Sequence, residues 1–223
     1  MRQLVRIALA LIGLMASVDR ASAQVMSLDT IYATNNGGAS LWTMYFDANV
    51  TNAPGINIVG FDTNTTSAVG TNFTLDFYTT APGGTYVGNT SNPGAWTFQG
   101  TTLTGTAAGT DLHSHVDLAT PVLVPFGTQG FALRYNGITP SYTNGTGSNQ
   151  NFSDPNLALT LGASQATTTA PFTGGSPFSP RVWNGTIYYT TSPAPEPTTL
   201  LTVGLAGGIG FVVRRARRGK ATD

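Results

Sequence analysis

The sequence predicts an all-β domain over residues 24–191, an antiparallel β-sandwich with jelly-roll-like connections, and three observations carry that expectation. Between Gln24 and Pro195 neither glutamate nor lysine occurs, so the residues that normally clothe a soluble helix are missing. Apolar and polar residues alternate at a period of two, the signature of half-buried strands. Gly, Asn and Pro interrupt these alternating runs at short intervals, as they do in sandwiches and barrels.

The elements follow in chain order. Trp42, Met44, Phe46, Ala48 and Val50 fall on one face of a strand, and Phe73, Leu75 and Phe77 on one face of another, with Thr74 and Asp76 turned away. Leu157, Leu159 and Leu161 repeat the pattern, as do Trp183, Ile187 and Tyr189. Turns are expected at Pro54-Gly55, Pro82-Gly83-Gly84, Pro93-Gly94, Asn136-Gly137, Asn144-Gly145 and Asn184-Gly185, where Gly or Asn meets the positive φ of a tight turn. From Ala163 to Pro180 large apolar residues are few, which predicts a long surface loop. Immunoglobulin-like connections are the alternative to a jelly roll, and no internal repeat suggests a solenoid.

Both ends of the chain differ from this middle. Residues 1–23 read as a secretory signal peptide, forming a helix: Arg2 and Arg6 give the charged start and Ile7 to Ala16 an apolar run too short to span a bilayer. Ala21-Ser22-Ala23 supplies the small-residue cleavage pattern and puts the mature start at Gln24. Residues 192–223 begin with Ser192-Pro193-Ala194-Pro195-Glu196-Pro197, a stiff extended linker. An uncharged stretch, residues 198–213, follows as a candidate transmembrane helix. At 1.5 Å per residue it spans about 24 Å, somewhat less than the ~30 Å hydrocarbon core. Arg214, Arg215, Arg217, Arg218 and Lys220 then form a basic end that stays cytoplasmic by the positive-inside rule, as does the basic start of the signal peptide.

Pro195-Glu196-Pro197, a short apolar stretch containing Gly204, Gly207, Gly208 and Gly210, and a terminal arginine cluster together resemble the PEP-CTERM sorting signal of Gram-negative bacteria. The resemblance covers residues 192–223 only. It implies recognition by an exosortase-type membrane enzyme, removal of the tail, and release to the cell surface or an exopolysaccharide matrix. Apolarity and charge alone would equally make a permanent single-pass anchor.

Charge and composition narrow the function of the middle. Its only cations are Arg134 and Arg181, against Asp29, Asp47, Asp62, Asp76, Asp111, Asp117 and Asp154, so it lacks the basic footprint that nucleic acid requires. Without cysteine there are no disulfides, thiolate metal sites or thiol nucleophiles. No Gly-x-Ser-x-Gly or His-Glu-x-x-His motif occurs, and the expectation is a protein that is not an enzyme.

Three constellations carry candidate chemistry. In Asp111-Leu112-His113-Ser114-His115-Val116-Asp117 a strand would project Asp111, His113, His115 and Asp117 from one face, where two imidazoles and a carboxylate can share a zinc or copper ion. The simpler reading is a solvated strand face with Leu112, Val116 and Leu118 in the core. Thr102, Thr104 and Thr106 alternate as an ice-binding row would, though threonine is a common strand residue. Trp96, after the turn-rich Asn92-Pro93-Gly94, is the tryptophan placed to offer a flat face to a sugar ring, whereas Trp42 and Trp183 lie on core faces. The sequence is therefore read as an exported cell-surface or matrix protein that associates weakly with exopolysaccharide, needing no cofactor. A metal-dependent surface enzyme using His113 and His115 and an ice-binding protein are the alternatives.

Overall fold

The computed structural model describes residues 23–166 and 170–191, and these form an all-β, antiparallel structure with no α-helix. Among the described residues twelve strands follow in order: β1 (Val25–Asp29), β2 (Asn36–Gly37), β3 (Trp42–Thr63), β4 (Asn72–Thr80), β5 (Trp96–Thr101), β6 (Gly105–Thr106), β7 (Ser114–Asn136), β8 (Ser141–Asn144), β9 (Asn151–Ser153), β10 (Leu157–Ala166), β11 (Arg181–Trp183) and β12 (Gly185–Thr191). The expected signal helix and transmembrane helix, with Pro195, Glu196, Pro197 and the arginine cluster, lie outside the described residues. Among the described residues no helix is long and apolar enough to cross a membrane.

The frame is the antiparallel pair of β3 and β7, in register from Thr43↔Arg134 to Thr63↔Ser114. The pairing breaks between Val50 and Gly55, where Gly55 has φ 145° and a Cβ would lie 2.5 Å from the Val124 carbonyl oxygen. Here the expected Pro54-Gly55 turn is a crease within one long strand pair. Before it, β3 pairs with β10, and β7 with β4, which continues to β5. Beyond it, β3 pairs with β12, which continues to β1. A small second sheet runs β11-β8-β2.

The two halves close on one core. Phe77 of β4 pairs with Leu133, which faces Met44. Were β3 straight, Phe61 would stand roughly 55 Å from that row at about 3.3 Å per residue. Yet the Phe61 and Phe77 rings meet at 5.2 Å, and Trp183 stacks on Phe46 at 5.1 Å, so the sheet folds back on itself. Met44, Phe46, Ala48, Val50, Phe73, Leu75, Phe77, Leu157, Leu159, Leu161, Trp183, Ile187 and Tyr189 are all buried as their alternation predicts, while Trp42 is half-buried beside them.

The opposite face of the first half carries a smaller core of Tyr45, Trp96, Ala132, Ala163 and Phe172. It corrects the expected loop from Ala163 to Pro180: β10 continues to Ala166, with Ala163, Ser164 and Gln165 buried against β3. The small residues there mark close packing. Gly162 in particular leaves the space that the Tyr86 hydroxyl fills. Asn184-Gly185 is likewise not a positive-φ turn, and Gly185 is glycine because a Cβ would overlap the Trp183 indole.

Candidate functional site

The richest polar constellation lies on the outer face of the second half, where β1, β12, β3 and β7 place Asp29, Thr186, Asp62 and His115 in one row. The next outward row is Ser27, Tyr188, Gly60 and Asp117. Gly60 is required there, because a Cβ would lie 2.8 Å from the Val116 carbonyl oxygen and 3.2 Å from the Asp117 carboxylate.

Asp62 is the centre of this face and is only 2% exposed. Its Oδ1 accepts from His115 Nδ1 at 2.6 Å and its Oδ2 from His113 Nδ1 at 2.8 Å. The Tyr188 hydroxyl donates to Oδ2 at 2.8 Å. A buried carboxylate is stable only when its lone pairs are satisfied, and three donors from two other strands and a turn do so. His115 Nε2 reaches Asp117 at 3.2 Å. Burial alone would lower the His115 pKa, but its hydrogen bonds to Asp62 and Asp117 outweigh that and raise it. Burial, then the hydrogen bond to Asp62, pushes the Tyr188 phenol up. His113 stacks on Tyr32 with ring centroids 3.9 Å apart, and Tyr32 bonds Thr186 at 3.2 Å. The His113 side chain is half exposed, and its Nε2 has no hydrogen-bond partner among the described residues.

This arrangement gathers His113, His115 and Asp117, as the sequence suggests, but corrects the rest. Asp111 does not join them. It sits in a turn at φ 57°, where its carboxylate accepts from the Thr34 backbone N–H and the Asn64 amide, each at 2.8 Å, and those bonds hold its pKa below the usual carboxylate range. Leu112, expected in the core, is exposed, and Ser114 is buried instead. Both imidazole Nδ1 atoms are engaged by Asp62, and no group of three or more His, Asp or Glu side chains among the described residues is arranged to hold a metal ion. Asp62 itself escapes sequence reading because β3 brings it from 51 positions away. The one signal for it is that it is the sole charged residue between Gly55 and Thr63.

Among the other candidates, Trp96 and Thr102 are withdrawn from the surface. Trp96 is buried, stacked on Phe172 at 4.9 Å, with its indole N–H donating to the Asn89 carbonyl at 2.8 Å. It offers no free face to a sugar. Thr102 is buried and accepts the Leu75 backbone N–H at 2.9 Å, so Thr102, Thr104 and Thr106 do not form an ice-binding row. A cleft of about 330 Å³ lined by Tyr86, Thr90, Ser91, Ala163 and Ser179 brings no titratable group together beyond the Tyr86 phenol.

No protein-family model matches the sequence, and no curated protein matches it. Among solved structures, the chain is similar to the cysteine protease and lectin-like domains of Cwp84, a surface layer associated protein of Clostridium difficile, at 12% identity and a TM-score of 0.43. That match covers 75% of this chain and 36% of the other. A second structure of that clostridial protease, after propeptide cleavage, matches at 12% identity and a TM-score of 0.44, covering 75% and 40%. The chain thus spans well under half the length of either, and the likeness says nothing of its activity.

Proposed function

We propose that the chain is an exported cell-surface or matrix protein, a β-sandwich made by folding one creased sheet, whose PEP-CTERM-like tail is processed by an exosortase-type membrane enzyme. The observation that carries this reading is the pairing of the first and last strands, Val25 opposite Thr190. Both flanks that the sequence marks as membrane-directed therefore leave the domain at one place. Two segments with basic ends on the same cytoplasmic side fit that geometry. Support also comes from the first strand, which begins at Val25, just after the small-residue cleavage pattern. Intact-mass analysis of surface material tests it. The expected species begins at Gln24 and ends close to Pro195, and a species that still carries Arg214 to Lys220 would mean a permanent anchor.

The same reading includes weak association with exopolysaccharide, and the face around Asp62 is where it belongs. His113 Nε2 and the largely exposed Asp117 carboxylate offer hydrogen-bond partners to sugar hydroxyls beside the Tyr32 and Tyr188 rings. On a glycan array, His113→Ala with Asp117→Ala should abolish whatever binding the wild-type domain shows. Undiminished binding would place the sugar elsewhere.

A further inference from the structure

The crease of the sheet is more than a bend. Val25, Thr190, Asn57 and Leu123 form one row across β1, β12, β3 and β7, and Thr191, the last described residue, is level with Ile56 and Val124. One step further lie Gly55 and Pro125, then Phe126. Three apolar side chains at this end face solvent: Val25 is 56%, Leu123 60% and Phe126 61% exposed. Single exposed apolar residues are ordinary. These share the place from which both ends of the domain depart.

Chain length and charge point the same way. Only Ser192 to Pro197 separate Thr191 from the apolar stretch, and six residues in any arrangement reach at most ~20 Å. The domain is then held within about one strand-length of the bilayer while its tail is embedded. Asp29 and Asp62 lie toward the opposite end of the same strands, about 13 Å away at four residues along β1, and Asp117 lies about halfway between. None of Val25, Asn57, Leu123, Gly55, Pro125 and Phe126 carries a charge, so an anionic surface repels the crease less than that acidic end. Asp154, brought near the crease by the Thr51 N–H bond to the Asn156 carbonyl, accepts the Tyr189 hydroxyl at 2.6 Å and the backbone N–H groups of Asn156 and Leu157.

We infer that the crease, through Val25, Leu123 and Phe126, is the face the domain lays against the membrane interface while the tail tethers it. This rests on the tethered precursor proposed above. Contact there orients the acidic Asp62 face outward and keeps the linker at the membrane surface, where a membrane-embedded processing enzyme works.

Because the chain has no cysteine, single thiols report cleanly. The full-length chain is reconstituted in phosphatidylethanolamine–phosphatidylglycerol vesicles with an environment-sensitive fluorophore at Phe126→Cys, Leu112→Cys or Leu205→Cys, and quenched by spin-labelled lipid. Phe126 and Leu112 are both exposed, so neither label disturbs the core. The expected result is strong quenching at position 205 and at least about twofold more at 126 than at 112. Quenching at 205 with equal, water-like signals at 126 and 112 overturns the membrane-facing crease alone. No quenching at 205 overturns the tether and the proposal with it.

Discussion

Asp62 decides how His113, His115 and Tyr188 stand, although it is the least accessible of the four. Asp62→Asn keeps the size but replaces one acceptor oxygen with a donor, so at least one partner loses its bond, at a cost of about 1–3 kcal/mol in urea denaturation. The same change should bring the His115 pKa down toward its ordinary value, read by NMR titration of the imidazole protons. Because the folded pKa of His115 is raised, its contribution to stability is complete below the unfolded value near ~6.5 and disappears as pH rises through the folded value. The wild-type urea midpoint should therefore drift downward across that window, and Asp62→Asn should flatten the drift; an equal drift in both would assign it to another group. The core has its own polar centre. Trp183 donates its indole N–H to the Tyr135 hydroxyl at 2.9 Å, and that hydroxyl bonds Thr63. Tyr135→Phe strands both buried partners and should cost about 1–3 kcal/mol. At this scale the site is half legible in the sequence. His113 and His115 stand out as neighbours, but their partner arrives through strand pairing, which spacing along one segment cannot show.

Among the elements, β3 and β7 set the architecture, and Gly55 is where they turn. Gly55→Ala would strain a φ of 145° and push its methyl into the Val124 carbonyl, so a loss of about 1–3 kcal/mol is expected in thermal or urea unfolding. A neutral outcome would mean that the crease does not depend on glycine. The strands that carry Phe46, Leu75 and Leu159 are read directly from alternation, because one face of each is fully buried. Strand β7 is not legible in the same way. Pro121 and Pro125 read as strand breakers, yet both sit where its register with β3 shifts, Pro125 opposite Gly55 and Pro121 between the Ile58↔Val122 and Gly60↔Asp117 pairs. Strand β10 outruns its alternating leucines because Gly162, Ala163 and Ser164 have the composition of a loop, while their smallness serves close packing under Tyr86.

For the whole molecule, the proposed processing is tested at the tail. Pro195→Ala or Glu196→Ala should hold the full-length precursor in the inner membrane, seen as loss of the surface species on fractionation. Unchanged release would show that the triplet is not the processing signal. The fold adds a constraint of timing. Thr30 bonds Gly185 across 155 positions, and among the described residues β1 has no strand partner other than β12. A chain that emerges amino end first must therefore carry β1 unpaired until nearly all of the domain has followed, and no disulfide can fasten the halves in the meantime. Folding is then expected to complete only when β12 brings Ile187 and Tyr189 into the core. Pulse proteolysis of a chain ending at Asn184, beside one ending at Thr191, reads this directly: the shorter chain should be digested throughout, and a protected fragment from it would show that β3, β7 and β4 close unaided.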